Sequence, residues 1–248
     1  NYQKGVSLKD AQNRRLFSLL EQIQQDKQTS ELQYKQPLNT LSPISLFPSE
    51  NSLGQTYTVL WDKFIHDLRK IPISHQKNLN MWLDHFDSLW QIYAQAMPAV
   101  VSNDFISESS AYDLAKVSSA LLMAKKQAPD IDTPYLLIQG DFFGIQNFIF
   151  ASGGDTAKHA AKLLRGRSFY VSLMVECAAL KIVENLGLNS SSIVQNAAGK
   201  FLIVAGNTAQ NILALEKIQT ELNEWFLKYT YGLSSLGLAW TAVDEEQF

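Results

Sequence analysis

Ser192-Ile193-Val194-Gln195 and Lys200-Phe201-Leu202-Ile203-Val204 are two apolar runs joined by Asn196-Ala197-Ala198-Gly199. Short runs rich in β-branched and aromatic residues predict strands, and a link ending in glycine predicts a tight turn between them. The stretch reads as a β-hairpin. It decides the fold because long helical patterns flank it on both sides. Upstream, Leu163, Leu164, Phe169, Leu173, Val175 and Leu180 predict a helix from about Thr156 to Leu186, stopped by Gly187. Downstream, Thr208 predicts the N-cap of a second helix reaching about Tyr229. Further out, Tyr135-Leu136-Leu137-Ile138, ended by Gly140, reads as a buried strand, and Leu236-Gly237-Leu238-Ala239-Trp240 as the last one. The order is β-α-β-β-α-β, the split βαβ arrangement. Right-handed crossovers then give a single antiparallel sheet with both helices on one face.

The preceding residues read differently. Ser7 predicts the cap of a helix carrying Leu16, Leu19, Leu20 and Ile23, which ends near Thr29. Pro37, Pro43 and Pro48 exclude a helix between Tyr34 and Glu50 and favour an extended segment. Amphipathic helices follow at about Gln55–Lys70, Gln76–Ala96 and Ala111–Lys126, and Pro129, Asp130 and Pro134 mark a boundary. The expected organisation is α+β: a mainly helical region over 1–132, with its proline-rich segment, then a ferredoxin-like βαββαβ domain over 133–248.

The chain has 248 residues, 46% of them hydrophobic and 18% charged, which is a globular composition. No apolar run is long enough to span a membrane. A net charge of −3 excludes a global attraction to nucleic acid, so any such contact needs a local basic patch. One cysteine, Cys177, builds neither a disulfide framework nor a zinc site; it is expected in the core, in a reducing cytoplasm. Asn1-Tyr2-Gln3-Lys4 carries neither an initiator methionine nor a secretion signal, so a piece of a longer protein is expected.

The βαββαβ fold hosts many functions, so the site has to decide. Gly140-Asp141-Phe142-Phe143-Gly144-Ile145-Gln146-Asn147-Phe148-Ile149-Phe150 places a carboxylate at the expected end of the first strand. Gly144, three residues later, permits close approach of a ligand. In nucleotidyltransferase and cyclase palms, a carboxylate here joins others on the central hairpin to hold two divalent cations. The plainer reading makes Asp141 a turn cap. The hairpin, Gln195 to Lys200, has no carboxylate, so a catalytically complete palm is not expected and no metal site is assigned. Gly153-Gly154-Asp155-Thr156 lies before the first helix, not on the hairpin, and reads as a loop ending in an N-cap.

Lys158, His159, Lys162, Arg165 and Arg167 form a basic cluster; Lys158, Lys162 and Arg165 share one helix face. They suit phosphate, RNA or a neighbouring subunit, and equally suit a solvated helix face. His66-Asp67 and His85, near Asp84 and Asp87, are expected to be exposed helical residues rather than metal ligands. Trp61, Trp82 and Trp90 are expected in a core. An RNA-recognition sheet needs exposed aromatics on its central strands, and only Phe201 stands near the hairpin.

Three ordered motifs, with a further stretch upstream of them, resemble the large subunit of type III (Csm-type, III-A) CRISPR effector complexes, the polymerase/cyclase-like family. The Gly140–Phe150 run resembles the family's Gly-Asp-x-x-Gly-Ile-Gln-x-Phe-Ile. Leu164-Arg165-Gly166-Arg167-Ser168-Phe169-Tyr170 resembles its Leu-Arg-x-Arg-Ser-Phe-Tyr. Ala198-Gly199-Lys200-Phe201 is similar to its glycine-rich hairpin, and Ser109 to Lys116 to its Ser-Leu-Tyr-Asp-His-x-Lys stretch. Phe143 departs from the usual serine, and Ala197 and Ala198 from the usual glycines.

The resemblance implies a cyclase-like (GGDEF-like) first palm preceded by the end of an HD single-strand DNase domain. It implies that a second palm makes cyclic oligoadenylates from ATP with Mg or Mn, while this palm lacks the catalytic hairpin acids. Gly140, Asp141, Gly144, Ile145 and Gln146 would face the nucleotide. Lys158, Lys162, Arg165 and Arg167 would contact phosphate, RNA or a sibling subunit. The implied partners are the second palm, sibling Csm subunits, guide RNA and target RNA, with no membrane. The alternative is a scaffold palm that binds no nucleotide.

Overall fold

The computed structural model describes residues 14–23, 33–50, 54–99, 109–150 and 160–246. The chain divides into two compact units, residues 1–116 and 117–248. No helix among the described residues is long and apolar enough to cross a membrane.

The first unit holds α1 (Leu19–Gln22), α2 (Tyr57–Leu68), α3 (Ile73–Gln76), α4 (Leu79–Ala94) and the start of α5 (Ala111–Gln127). The proline-interrupted segment is extended, as its prolines require. Lys35 bridges Phe17 on one side and Ser49 on the other. Leu38, Leu60, Phe64 and Tyr93 form the buried core. Phe64 lies edge-on to Phe86, Trp90 and Tyr93, an arrangement that aligns positive ring edges with negative faces. Trp90 packs against this core and Trp82 stacks on Phe86 beside it, but Trp61 is exposed, contrary to expectation. It sits one residue past Leu60, so it points away when Leu60 and Phe64 point inward. The Tyr93 hydroxyl donates to Asp67 at 2.6 Å. Burial, then this carboxylate, push the phenol up to about 12.

The second unit contains β1 (Tyr135–Phe143), α6 (Ile145–Ile149), α7 (Ala160–Asn185), β2 (Ile193–Ala197), β3 (Lys200–Gly206), α8 (Ala209–Thr230) and β4 (Ser235–Val243). The sheet is antiparallel in the order β2-β3-β1-β4, so the first strand and the second hairpin strand are central. Val171, Val175, Ile182, Leu215, Ile218 and Phe226 of α7 and α8 bury one sheet face with Leu136, Ile138, Phe142, Phe201, Ile203 and Leu236. Among the described residues of this unit, the opposite face is covered at one end, where Ala120 and Ala124 of α5 meet Tyr135, Val204 and Val243. Through that contact, α5 from Val117 onward clusters with the second unit. Gln127, at the end of α5, accepts from the Gly206 amide and donates to the Leu186 carbonyl.

Helix ends follow their local signals. Thr208 accepts from the Asn211 amide and caps α8. Gly187, at φ +65°, stops α7, and the Leu188 amide returns to the Val183 carbonyl, the glycine-terminated C-cap. One expectation fails on α7: Cys177, expected in the core, is exposed. Leu163, Phe169, Leu173 and Leu180 also face outward. The sheet instead takes the smaller Val171, Val175, Ala178 and Ala179, which let the helix lie close.

The hairpin turn places Ala198 and Gly199 at φ +55° and +84°, the type I′ pattern that matches strand twist. An alanine in the left-handed region costs about 1–2 kcal/mol. Ala198→Asn is expected to raise stability by about 1 kcal/mol, because asparagine tolerates that region. A urea midpoint that stays put or falls would show that the turn carries no such strain.

Candidate functional site

The candidate residues gather at the end of the sheet that α5 leaves open. The sequence reading ends the first strand near Gly140, with Asp141 either at the strand end or capping the turn that follows. Instead β1 continues through Asp141 to Phe143, and Asp141 lies between Lys200 of β3 and Gly237 of β4. Gly140 is the reason. It faces the helices, and the Phe201 ring occupies the space a Cβ would need. Glycine in a strand interior commonly marks such a close approach from a neighbouring element. Gly140 therefore serves packing: its neighbour Phe201 is 1% exposed. Phe201, the aromatic nearest the hairpin, is thereby buried on the helix side and presents no ring to a base.

Side chains alternate along a strand, so Asp141 points to the opposite, open face. Lys200 stands directly across from it, with its Nζ 3.0 Å from Asp141 Oδ2. Both groups remain partly accessible, so the pair is solvent-screened and contributes little to stability. Phe143 lies on the same face and is 54% exposed. Its ring covers Gly237, where a Cβ would come within 2.6 Å of it. A carboxylate, an ammonium and an exposed aromatic ring thus occupy one open patch of the sheet.

Gly144 follows β1 at φ +79° and forms the N-cap of α6. Its missing Cβ makes room for the Leu233 carbonyl oxygen, which a Cβ would meet at 2.6 Å. On the other side, Ile145 Cδ1 lies where a Cβ on Gly199 would fall, at 2.6 Å. The Phe142 amide donates to the Gly199 carbonyl at 2.9 Å. The two glycines accordingly clamp the β1–α6 connection against the hairpin turn.

Ile145 also lines a groove of about 320 Å³ between α6 and α7, with Gln146, Ile149, Phe150, Leu164, Arg165 and Ser168. Here the structure brings together three residues that the sequence singled out separately: Ile145, Gln146 and Arg165. Arg165 is exposed and its Nε donates to the Ala161 carbonyl. Lys162 is exposed on α7. Arg167 turns inward and donates to the Ile149 carbonyl at 3.0 Å, which fixes the end of α6. Lys158 and His159 lie outside the described residues, as does the Gly153–Thr156 loop.

Sequence reasoning missed Lys200 and Phe143 as members of the site. The signal was present: once β1 is extended past Gly140, hairpin register sets Lys200 opposite Asp141. The fit to a divalent cation is poor. Among the described residues no group of three histidine, cysteine or carboxylate side chains could hold a metal. Asp141 stands alone on this face, already paired with an ammonium. In the first unit, His66 is exposed, whereas His85 is half-buried and stacks on His75, their nearest ring nitrogens 2.8 Å apart. Asp67 is occupied by Lys70 and Tyr93.

The family model of Csm1 subunit domain B matches residues 134–248. The Cas10/Csm1 single-strand-specific deoxyribonuclease (subtype III-A) of Thermococcus onnurineus is 34% identical over 150 residues, which cover 56% of this chain and 19% of that protein. The crystal structure of Csm1 from T. onnurineus superposes with a TM-score of 0.73 at 26% identity, covering 93% of this chain and 31% of that one. A Csm1–Csm4 cassette in complex with one ATP gives a TM-score of 0.66 at 26% identity, covering 86% and 29%. The chain thus spans about a fifth of the curated relative and under a third of these crystallised chains. The family-model match spans the second unit's sheet and helices, and the Gly140–Phe150, Leu164–Tyr170 and Ala198–Phe201 motifs lie within it: the domain at 134–248 belongs to the Csm1 family, the Csm-type Cas10 subunit of type III-A CRISPR systems.

Proposed function

We propose that this domain is the non-catalytic first palm of a type III-A large subunit and that it helps bind one ATP for cyclic oligoadenylate synthesis by a second palm. The observation that carries the reading is the open end of the sheet. It offers an ammonium at Lys200, an accessible ring at Phe143 and the Gln146 groove, with no second carboxylate beside Asp141 among the described residues. An ammonium suits a polyphosphate, and an accessible ring or an amide suits a base. Related Csm1–Csm4 cassettes hold ATP, AMPPNP and cyclic oligoadenylates, which supports a nucleotide as the ligand class. Mg or Mn would accompany that ATP in the intact complex.

In this reading Asp141 orients Lys200, Gly144 and Gly199 hold the turn, and Gln146 contacts the nucleotide. Residues 1–132 would link an HD region to the palm. A scaffold role is the second reading. It is favoured by Lys162 and Arg165, exposed on α7 beside the outward-facing Phe169 and Leu173, which suit guide or target RNA or a sibling Csm subunit. One experiment separates the two. In the two-palm protein, Lys200→Ala with Gln146→Ala is expected to weaken ATP binding and lower oligoadenylate yield together. Unchanged affinity and yield would leave the scaffold reading in place of the nucleotide one.

A further inference from the structure

We infer that Lys200 takes the position a divalent cation holds in catalytic palms, so that this palm receives the anionic part of its ligand on a protein-borne ammonium. The inference deepens the nucleotide reading above and rests on it for the ligand's identity. Its structural part stands on the Asp141–Lys200 pair alone.

In a metal-dependent palm the cation sits between the first-strand carboxylate and carboxylates of the central hairpin, where it neutralises phosphate oxygens. Here the first-strand carboxylate is present, at Asp141 on a central strand. The hairpin side of the same space is filled by the Lys200 ammonium, 3.0 Å from Asp141 Oδ2. Register enforces this: Lys200 is the first residue of β3 after the turn, and it pairs with Asp141. The turn itself contributes Ala197, Ala198 and Gly199, none of which can ligate a cation through a side chain. A cation at Asp141 would also lie against a like charge. The ligand set therefore fits a divalent ion poorly and fits a phosphate well. Lys200 is about half accessible, so its remaining N–H donors face solvent and can reach an incoming oxyanion.

Charge bookkeeping sharpens the consequence. If Asp141 were a metal ligand, its neutralisation would remove the cation and weaken binding of a polyphosphate. If Asp141 only orients Lys200, the Asp141→Asn amide still accepts a hydrogen bond and leaves a net positive charge. Polyphosphate binding then holds or tightens.

The probe is manganese(II), titrated into the chain and followed by the free-ion electron resonance signal and by broadening of the Phe142 and Gly199 amides. Wild-type protein is expected to show no saturable Mn(II) at this end of the sheet. Lys200→Asp is expected to create such a site, at least about tenfold tighter than wild type, because it supplies the missing second carboxylate. Lys200→Glu serves as a second variant with longer reach, and Asp141→Asn in either background should abolish the gain. Saturable Mn(II) in wild type that Asp141→Asn removes would overturn the inference. So would the absence of any gain in both lysine variants. Neither readout involves a nucleotide, so this inference fails or stands separately from the ATP assignment.

Discussion

Gly140→Ala is expected to destabilise the second unit by about 1–3 kcal/mol, the cost of overpacking a close-packed core. The added methyl has no free volume to enter, because the Phe201 ring already lies over the glycine. Phe201 is buried between the sheet and its helices, and cannot swing into solvent to relieve the clash. The check is the urea midpoint, with Phe201→Leu as a partner change. The double variant should recover part of the loss, since residues in contact couple. The result also separates two accounts of this glycine. If Gly140 served nucleotide approach, the alanine variant would lower ATP affinity while leaving the urea midpoint in place.

Lys200→Ala in the two-palm protein is expected to weaken ATP binding by about ten- to a hundredfold, the worth of one charge-assisted hydrogen bond of about 1.5–3 kcal/mol. Fold stability should barely move, because the Asp141–Lys200 pair is accessible on both sides. Lys200→Arg should keep most of the affinity, since the charge is retained. Loss of affinity in both variants alike would point to geometry, and affinity untouched in both would remove Lys200 from the site. Calorimetry at fixed ionic strength is the appropriate measurement, because exposed charges are screened by salt.

The sheet was legible because its evidence is local and redundant. The Ile193–Val204 hairpin, two capped helices and two short apolar runs allow only a few topologies, and handedness selects among them. The site was less legible, for one reason that propagates. Gly140 reads as a strand stop in isolation, whereas its function depends on Phe201, which is distant in sequence. With β1 ended early, Asp141 falls in a turn and Lys200 has no partner. With β1 extended, both become ladder neighbours on the open face. The hairpin's lack of acids is visible in the sequence, whereas the role of its lysine depends on register. Cys177 and Trp61 were misplaced for a different reason. Helical periodicity shows that a face is apolar, not which of two apolar faces meets the core. On α7, close packing against the sheet favours small and β-branched residues over Phe169 and Leu173. Gln146 and Arg165 were singled out from separate motifs, and only the approach of α6 to α7 joins them in one groove.

The central claim is that this palm contributes a nucleotide site without a catalytic centre of its own. The most direct test is the stoichiometry of ATP bound to the two-palm protein, with and without Lys200→Ala, at an ATP concentration between the wild-type and variant dissociation constants. The account predicts two molecules for the wild type and one for the variant. Two molecules in both would contradict it.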